Sequence, residues 1–435
     1  MRSANSRLHK SELTPQPQTD PVGCPMDRAS SPFTAKRVLL VGGGRWGRVH
    51  ADILRRVLPA NGEVTWVSTH NRLALAQLAS AWADTGPRFR MLNELDEALA
   101  VGQDAAIIVS APHMHAADAR TVLQAKMPVL VEKPFVTRSF DAAELVRIAE
   151  QRGLLLGVGL HLLFTSYLHQ FQQILSDREV RTVAVEWYDP ESEIRYGELK
   201  RLNVSVQKIH DAFSHIWSII HVLFRNRPMV VSGASVGGGA STEIRLDVAG
   251  IEIVTRIDRR AQYRRRRVAV VFAGGGSAEL DFTTEPGVVA VDGTEFPAAS
   301  DWSSQPSPLT LETVSFLSAL DSPADAANWP GRAQFVVSGV SVAEDIAERV
   351  SEIEAAILAE AFLRDNLVEA DARAIISDNI GPELMEQGVR GPEAESELET
   401  IFSAFVKRET NEIFGYERSL RRQSRFLQRV KARIA

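Results

Sequence analysis

The chain has 435 residues, 45% of them hydrophobic and 24% charged, with a formal net charge of −6. That length accommodates two or more domains, and the composition is ordinary for a soluble globular protein. The acidic balance carries no global nucleic-acid signature, no apolar run approaches the roughly 18–20 residues that span a bilayer, and a single cysteine, Cys24, excludes an internal disulfide framework or a cysteine metal cluster.

Residues 1–35 are polar, rich in Ser, Thr and Pro, and lack the apolar stretch of a secretory signal. They read as a disordered extension of a cytoplasmic protein; an arm docking on a partner subunit is the alternative.

From residue 36 to 157 the pattern alternates. Segments 37–41, 64–67, 105–109, 129–131 and 154–158 read as strands. Segments 45–57, 72–82, 95–100, 116–125 and 139–152 read as helices, the last with a serine cap at Ser139. Strands alternating with helices predict a doubly wound, Rossmann-type parallel sheet with right-handed crossovers.

Gly42, Gly44 and Gly47 match G-x-G-x-x-G, with a strand before and a helix after. The glycines permit a tight turn, close approach of backbone to a pyrophosphate, and close helix–strand packing. The loop Gly42-Gly43-Gly44-Arg45-Trp46-Gly47 is thus a candidate dinucleotide cradle on a helix N-terminus. At the end of the second strand stands Ser68-Thr69-His70-Asn71-Arg72. A carboxylate there would bind the ribose 2′-hydroxyl and repel a 2′-phosphate. Its absence, the hydroxyls of Ser68 and Thr69, and the charge-assisted bonds that Arg72 can offer favour NADP(H) over NAD(H). Arg45 is a second candidate phosphate partner.

Residues 158–362 change texture. Segments 166–175 and 211–224 read as helices around a strand-like 182–187. Alternating runs follow at 229–236, 241–248, 251–257, 267–272 and 277–282, with Val248-Ala249-Gly250-Ile251 as a hairpin turn. Consecutive strands without intervening helices predict an α+β domain on one open, mostly antiparallel sheet. Segments 309–320 and 341–362 return to helix. Residues 363–435 read as a helical extension, clearest at 393–404 and 415–434. The last stretch is basic and amphipathic, and is expected to pack through Leu420, Phe426, Leu427 and Val430. The run Arg264–Arg267 belongs to a solvated edge or interface strand facing acidic partners, its arginines alternating between faces.

Two further features carry chemistry. Glu132-Lys133-Pro134 closes an apolar strand at the sheet edge where ligands bind. Asp211 and His215 are four residues apart, which on a helix places their β-carbons about 5–6 Å apart on one face. A carboxylate beside an imidazole can orient it, and a histidine so placed can exchange a proton with an oxygen or nitrogen during hydride transfer. His161 ends a strand on the same edge and is a candidate substrate contact. The histidines show no ligand spacing, so no metal site is expected.

The glycine-rich start, Glu132-Lys133-Pro134 and then Asp211-x-x-x-His215 ahead of a strand-rich region resemble, in order and spacing, the glucose–fructose oxidoreductase/inositol dehydrogenase (Gfo/Idh/MocA) family. The resemblance covers about residues 36–362. It implies an NAD(P)-dependent oxidoreductase acting on a sugar-like, cyclitol or imine substrate. Lys133 would hydrogen-bond the reacting oxygen, His215 would be the general acid/base, and Asp211 its orienter or a substrate ligand. Glu132, Ala111, Pro112 and His115 would line the nicotinamide end. Ser110-Ala111-Pro112-His113-Met114-His115 keeps the proline of the family's Thr-Pro-Asn-x-x-His stretch, with its histidines crowded closer. The resemblance also implies a homodimer or homotetramer through the open sheet, and the charge and hydropathy given above lead us to expect no nucleic-acid or membrane partner. The family includes cofactor-binding regulators without turnover and NAD-dependent glycosidases, which are the alternative functions. The extensions at both ends lie outside the resemblance and fit a specialised biosynthetic enzyme.

Overall fold

The computed structural model describes residues 32–82, 86–195, 198–225, 227–239, 241–414 and 424–434. Most of the expected disordered extension lies outside these residues, as do Cys24, Leu420 and the 415–423 part of the expected terminal helix.

The first sheet holds β1 (Arg37–Val41), β2 (Glu63–Val67), β3 (Arg88–Leu92), β4 (Ala105–Ile108), β5 (Val129–Glu132) and β6 (Leu156–Gly159), all parallel, in the order β3-β2-β1-β4-β5-β6. Crossovers run through α1 (Arg45–Val57), α2 (Arg72–Ala81), α3 (Leu95–Leu99), α4 (His115–Gln124) and α5 (Ser139–Arg152). β1, β4 and β5 are buried on both faces, which is why they read as unbroken apolar runs. The winding direction reverses between β1 and β4, opening a crevice at their carboxyl ends. β3 was not expected: it is a half-exposed edge strand carrying Arg88 and Arg90. Ser139 does not cap α5. It is the first helical residue, and its backbone N–H and hydroxyl both donate to Glu344, 2.9 and 2.5 Å away.

The second region begins with α6 (Ser166–Leu175), β7 (Val180–Pro190), the hairpin β8 (Ser192–Arg195) and β9 (Glu198–Arg201), and α7 (Lys208–Phe224). β10 (Met229–Gly237), β11 (Ser241–Val248), β12 (Ile251–Ala261), β13 (Arg265–Phe272), β14 (Ser277–Asp281), β15 (Val288–Val291) and β16 (Thr294–Pro297) follow. Eight of these strands form one sheet in the order β10-β11-β12-β7-β13-β14-β15-β16, antiparallel except where β7 lies parallel to β12. At the β11–β12 turn Ala249 and Gly250 have φ of 53° and 87°, as a two-residue type I′ hairpin requires.

α8 (Pro308–Ala319) and α9 (Pro323–Asn328) lead back to the first sheet. α8 contacts α1, Val158 donates to the Gly331 carbonyl at 2.8 Å, and Gly157 bridges Arg332. The 32-residue α10 (Ala333–Arg364) then contacts α5, α7 and β10 and ties both sheets together. α11 (Glu369–Glu386), α12 (Gly391–Val406), α13 (Thr410–Phe414) and a terminal helix (Arg425–Ile434) close a separate core around Ile376, Phe402, Phe405, Phe426 and Leu427, against the end of α10. The basic face of the terminal helix meets an acidic partner within its own chain, Arg429 and Arg433 pairing with Glu348 and Glu352 of α10.

Candidate active site

The glycine turn is set by backbone sterics. Gly42 has φ of +125°, and a Cβ there would lie 2.5 Å from the Val109 carbonyl oxygen. A Cβ at Gly43 would lie 2.1 Å from Ser68 Oγ, and one at Gly47 2.1 Å from the Gly42 oxygen. Gly44 differs: a Cβ there would meet no atom within 4 Å. Tightly packed glycines therefore surround an open position at the mouth of α1, whose N-cap makes no side-chain hydrogen bond. This is the cradle a dinucleotide pyrophosphate needs, with first-turn N–H groups facing outward. The turn is pinned from below by buried Trp66, whose indole N–H donates to the Gly42 oxygen at 2.8 Å. Arg45 and Trp46 flank the opening, and Trp46 is exposed.

At the end of β2, buried Ser68 donates to the His70 carbonyl, and Thr69 Oγ1 lies 2.6 Å from His70 Nδ1. Asn71 takes a left-handed φ of 61°, and Arg72 opens α2 in solvent. No carboxylate stands between residues 68 and 72.

The turns after β4 and β5 are clamped together by His115. Its ring is buried, Nδ1 lies 2.9 Å from the Pro134 oxygen, and Nε2 lies 3.0 Å from the Ser110 oxygen. Both ring nitrogens thus face protein carbonyls, and His115 shapes this edge from behind. Ala111 and Pro112 remain at least partly accessible. His113 Nε2 lies 3.4 Å from Arg390 of the helical extension; burial and that guanidinium lower its pKa.

Glu132 is held by buried His50, 3.0 Å from Oε1, and accepts from the Lys133 backbone N–H at 2.9 Å. Burial alone would raise its pKa, but His50 and Lys133 bring it below the usual carboxylate value. Glu312 on α8 goes the other way. It is fully buried, faces Glu132, and accepts from the Leu160 N–H at 2.5 Å; burial and the Glu132 charge push its carboxyl well up, which favours the protonated form.

Lys133 crosses from the first sheet to α7, its Nζ lying 2.8 Å from Asp211 Oδ1. Arg259 of β12 lies 3.8 Å from the other Asp211 oxygen. Burial opposes ionisation of Asp211, yet Lys133 and Arg259 hold its carboxyl well below the usual range. One turn further along α7, His215 is nearly buried. Its ring stacks on Trp187 of β7 at 4.4 Å and meets His161 edge-on at 5.4 Å. The Arg266 guanidinium lies over the same Trp187 ring at 3.7 Å. The fold thus joins Lys133 to Asp211, and His161 to His215, across the junction of the two regions. That geometry can hold a ligand oxygen at an ammonium and exchange a proton at an imidazole.

Trp187, His50 and Glu312 were not singled out in the sequence, and Arg259, grouped there with the solvated arginine run, is buried. Arg259 had a usable signal, because strand parity with Ile251, Ile253, Thr255 and Ile257 puts it on the buried face of β12. In the neighbouring arginine run the expected alternation holds. Arg265 and Arg267 pair with Glu186 and Glu279, while Arg266 turns inward to Asp189. Among the described residues no group of His, Cys, Asp and Glu could hold a metal ion, and no helix is long and apolar enough to cross a membrane.

Several solved structures share the fold. UDP-N-acetylglucosamine 3-dehydrogenase from Acidithiobacillus ferrooxidans is 20% identical, with TM-score 0.56 over 72% of this chain and 96% of that one. A 3-ketoreductase from Actinomadura kijaniata, in complex with NADP and TDP-benzene, is 15% identical, with TM-score 0.57 over 72% and 98%. A dehydrogenase from Clostridium difficile is 12% identical, with TM-score 0.57 over 72% and 99%. No curated protein matches the chain by sequence. Residues 36–160 match the Gfo/Idh/MocA family model, described as "Oxidoreductase family, NAD-binding Rossmann fold", and beyond that segment the likeness to these structures is one of fold.

Proposed function

We propose that the protein is an NADP-preferring oxidoreductase of a sugar-like or specialised-metabolite substrate, interconverting an alcohol with a carbonyl or an amine with an imine. The observation that carries this reading is the Lys133–Asp211 ion pair, 2.8 Å long, spanning the junction between the cofactor sheet and α7. When bound, the nicotinamide supplies or accepts the hydride. Gly42, Gly43, Gly44, Arg45, Trp46 and Gly47 cradle the pyrophosphate, Ser68, Thr69 and Arg72 take the 2′-phosphate, and Ala111, Pro112 and Glu132 border the nicotinamide end, shaped by His115.

Lys133 donates from Nζ to the reacting oxygen or nitrogen, positioned by Asp211. His215 takes or gives the proton, its ring fixed by the Trp187 stack. His161 borders the same substrate space. A ground-state hydrogen bond to a carbonyl strengthens as negative charge develops on its oxygen, so Lys133 favours the transition state over the substrate.

The division into 36–157, 158–362 and 363–435, a cytoplasmic setting, and a homodimer or homotetramer through the outer face of the eight-stranded sheet belong to the same proposal. The test is nicotinamide absorbance followed over UDP- and TDP-linked sugars and 3-keto sugars, free cyclitols and cyclic imines, with NADP(H) and NAD(H). We expect turnover with at least one class, faster with NADP(H). Tight NADP(H) binding without oxidation or reduction across the panel would instead favour a regulator.

A further inference from the structure

The helical extension lies beyond residues 36–160, yet it reaches the polar network behind the site. We infer that Asp378 of α11, acting through Arg259, is a positioning residue for the Lys133–Asp211 pair. The inference rests on the reading of that pair as the proton-handling site, and its test does not use turnover.

The network is continuous. Asp211 Oδ2 lies 3.8 Å from Arg259 Nη2, and Arg259 Nη1 lies 3.4 Å from Asp378 Oδ1. Asp378 Oδ2 lies 3.5 Å from Lys208 Nζ, Lys208 lies 2.5 Å from Glu354, and Asn379 donates to Glu354 at 2.6 Å. Arg259, Lys208, Glu354, Asp378 and Asn379 are all buried. The same Arg259 donates to the carbonyls of Val206 and Asn203, closing the segment that enters α7. α11 covers that segment at backbone contact, since a Cβ on Gly381 would lie 2.4 Å from the Val204 oxygen. The extension is therefore built into the wall that holds Asp211.

Arg259 stands between two carboxylates, Asp378 at 3.4 Å and Asp211 at 3.8 Å. In a buried setting such a guanidinium follows the remaining anion when one is lost. Neutralising Asp378 leaves Asp211 as the remaining anion of the two beside Arg259. Lys133 then loses part of its hold on Asp211 and faces an uncompensated positive charge. Among the described residues this surround also holds Glu132 from β5, Lys200 from β9, Asp189 from β7 with its partner Arg266 from β13, and the titratable His161 near Glu132.

The experiment is competitive acetylation of the full chain with acetic anhydride, resolved lysine by lysine by mass spectrometry, with exposed Lys126 as the internal reference. An amine acetylates only when unprotonated, so its rate reports the local balance of charge. In Asp378→Asn, Lys133 acetylation at about pH 8 should rise roughly threefold or more relative to Lys126. Asp378→Ser is a second neutral variant should Asn not fold, and Asp378→Glu should restore the parent rate. An unchanged Lys133 rate in a folded neutral variant would overturn the inference. So would a rise accompanied by faster amide hydrogen exchange throughout α7, which signals general opening. If Lys133 responds as expected but no substrate turns over, the positioning stands and the proposed function fails. Turnover that depends on Lys133, with no acetylation response, leaves the proposed function standing and overturns the positioning role.

Discussion

At the scale of single residues, the site depends on charges brought together from distant parts of the chain. Lys133 and Asp211 are 78 residues apart and meet at 2.8 Å. The residue before Asp211 behaves differently. Burial pushes the His210 imidazole from 6.5 down to about 4, with Glu344 opposing weakly, so it is neutral in the folded protein at neutral pH. Between those values the unfolded chain binds a proton that the folded chain does not. Stability from this group is therefore full above pH 6.5 and is lost progressively as pH falls from there to 4. His210→Gln should remove about 2 kcal/mol of stability loss between pH 7 and pH 4, after allowance for partial exposure. Urea unfolding of parent and variant at both pH values measures it; equal losses in the two proteins would contradict the assignment.

The groups that hold Asp211 and Glu132 in place were hard to read from sequence for a physical reason. A buried arginine on a strand looks, residue by residue, like an exposed one. Only the parity of its neighbours distinguishes Arg259 from Arg256 and Arg260, and it needs the strand's full extent, which reaches Ala261 and not residue 257. Glu312 had no such signal, because its burial follows from α8 returning to the first sheet.

At the scale of elements, the glycine turn and its supports work as one unit. β1 delivers Gly42, Trp66 on β2 holds its carbonyl, and the next turn presents Ser68, Thr69 and Arg72. Periodicity made β1, α1, β4, β5 and α5 legible, because strands buried on both faces and amphipathic helices write strong patterns. It missed the edge strand β3, the hairpin β8–β9 and the strands β15 and β16 at the sheet margin, which are short or polar. It placed α11 within the helical extension without giving its bounds, because its apolar residues are interleaved with Ser377, Asp378 and Asn379 of a buried polar network. In the proposed function the turn after β2 carries the cofactor preference. Arg72→Ala should weaken NADPH binding about tenfold, the scale of one lost charge-assisted contact, and leave NADH unchanged. Fluorescence titration with both cofactors decides it; equal weakening of both would remove Arg72 from the 2′-phosphate site.

At the scale of the molecule, the chain does not divide into beads. α8 and the segment at Gly331 return to the first sheet, α10 joins both sheets, and the terminal helices pack on α10 while α11 reaches Arg259. The two-sheet architecture and the residues that meet between the sheets were legible from motif order. The path of the extension was not, because it depends on tertiary contacts that no local pattern encodes. This connectivity puts the proposed chemistry at a junction that several elements contact. The proposed function requires Lys133 and His215 to act on the reacting substrate and not on cofactor binding. Turnover of the best panel substrate by Lys133→Ala and His215→Ala, with the NADPH dissociation constant measured on the same preparations, tests this without intermediate steps. We predict kcat lower by roughly 10²–10⁴-fold in each, with NADPH affinity within about threefold of the parent. Near-parent turnover in both variants, or loss of activity explained by lost NADPH binding, would contradict it.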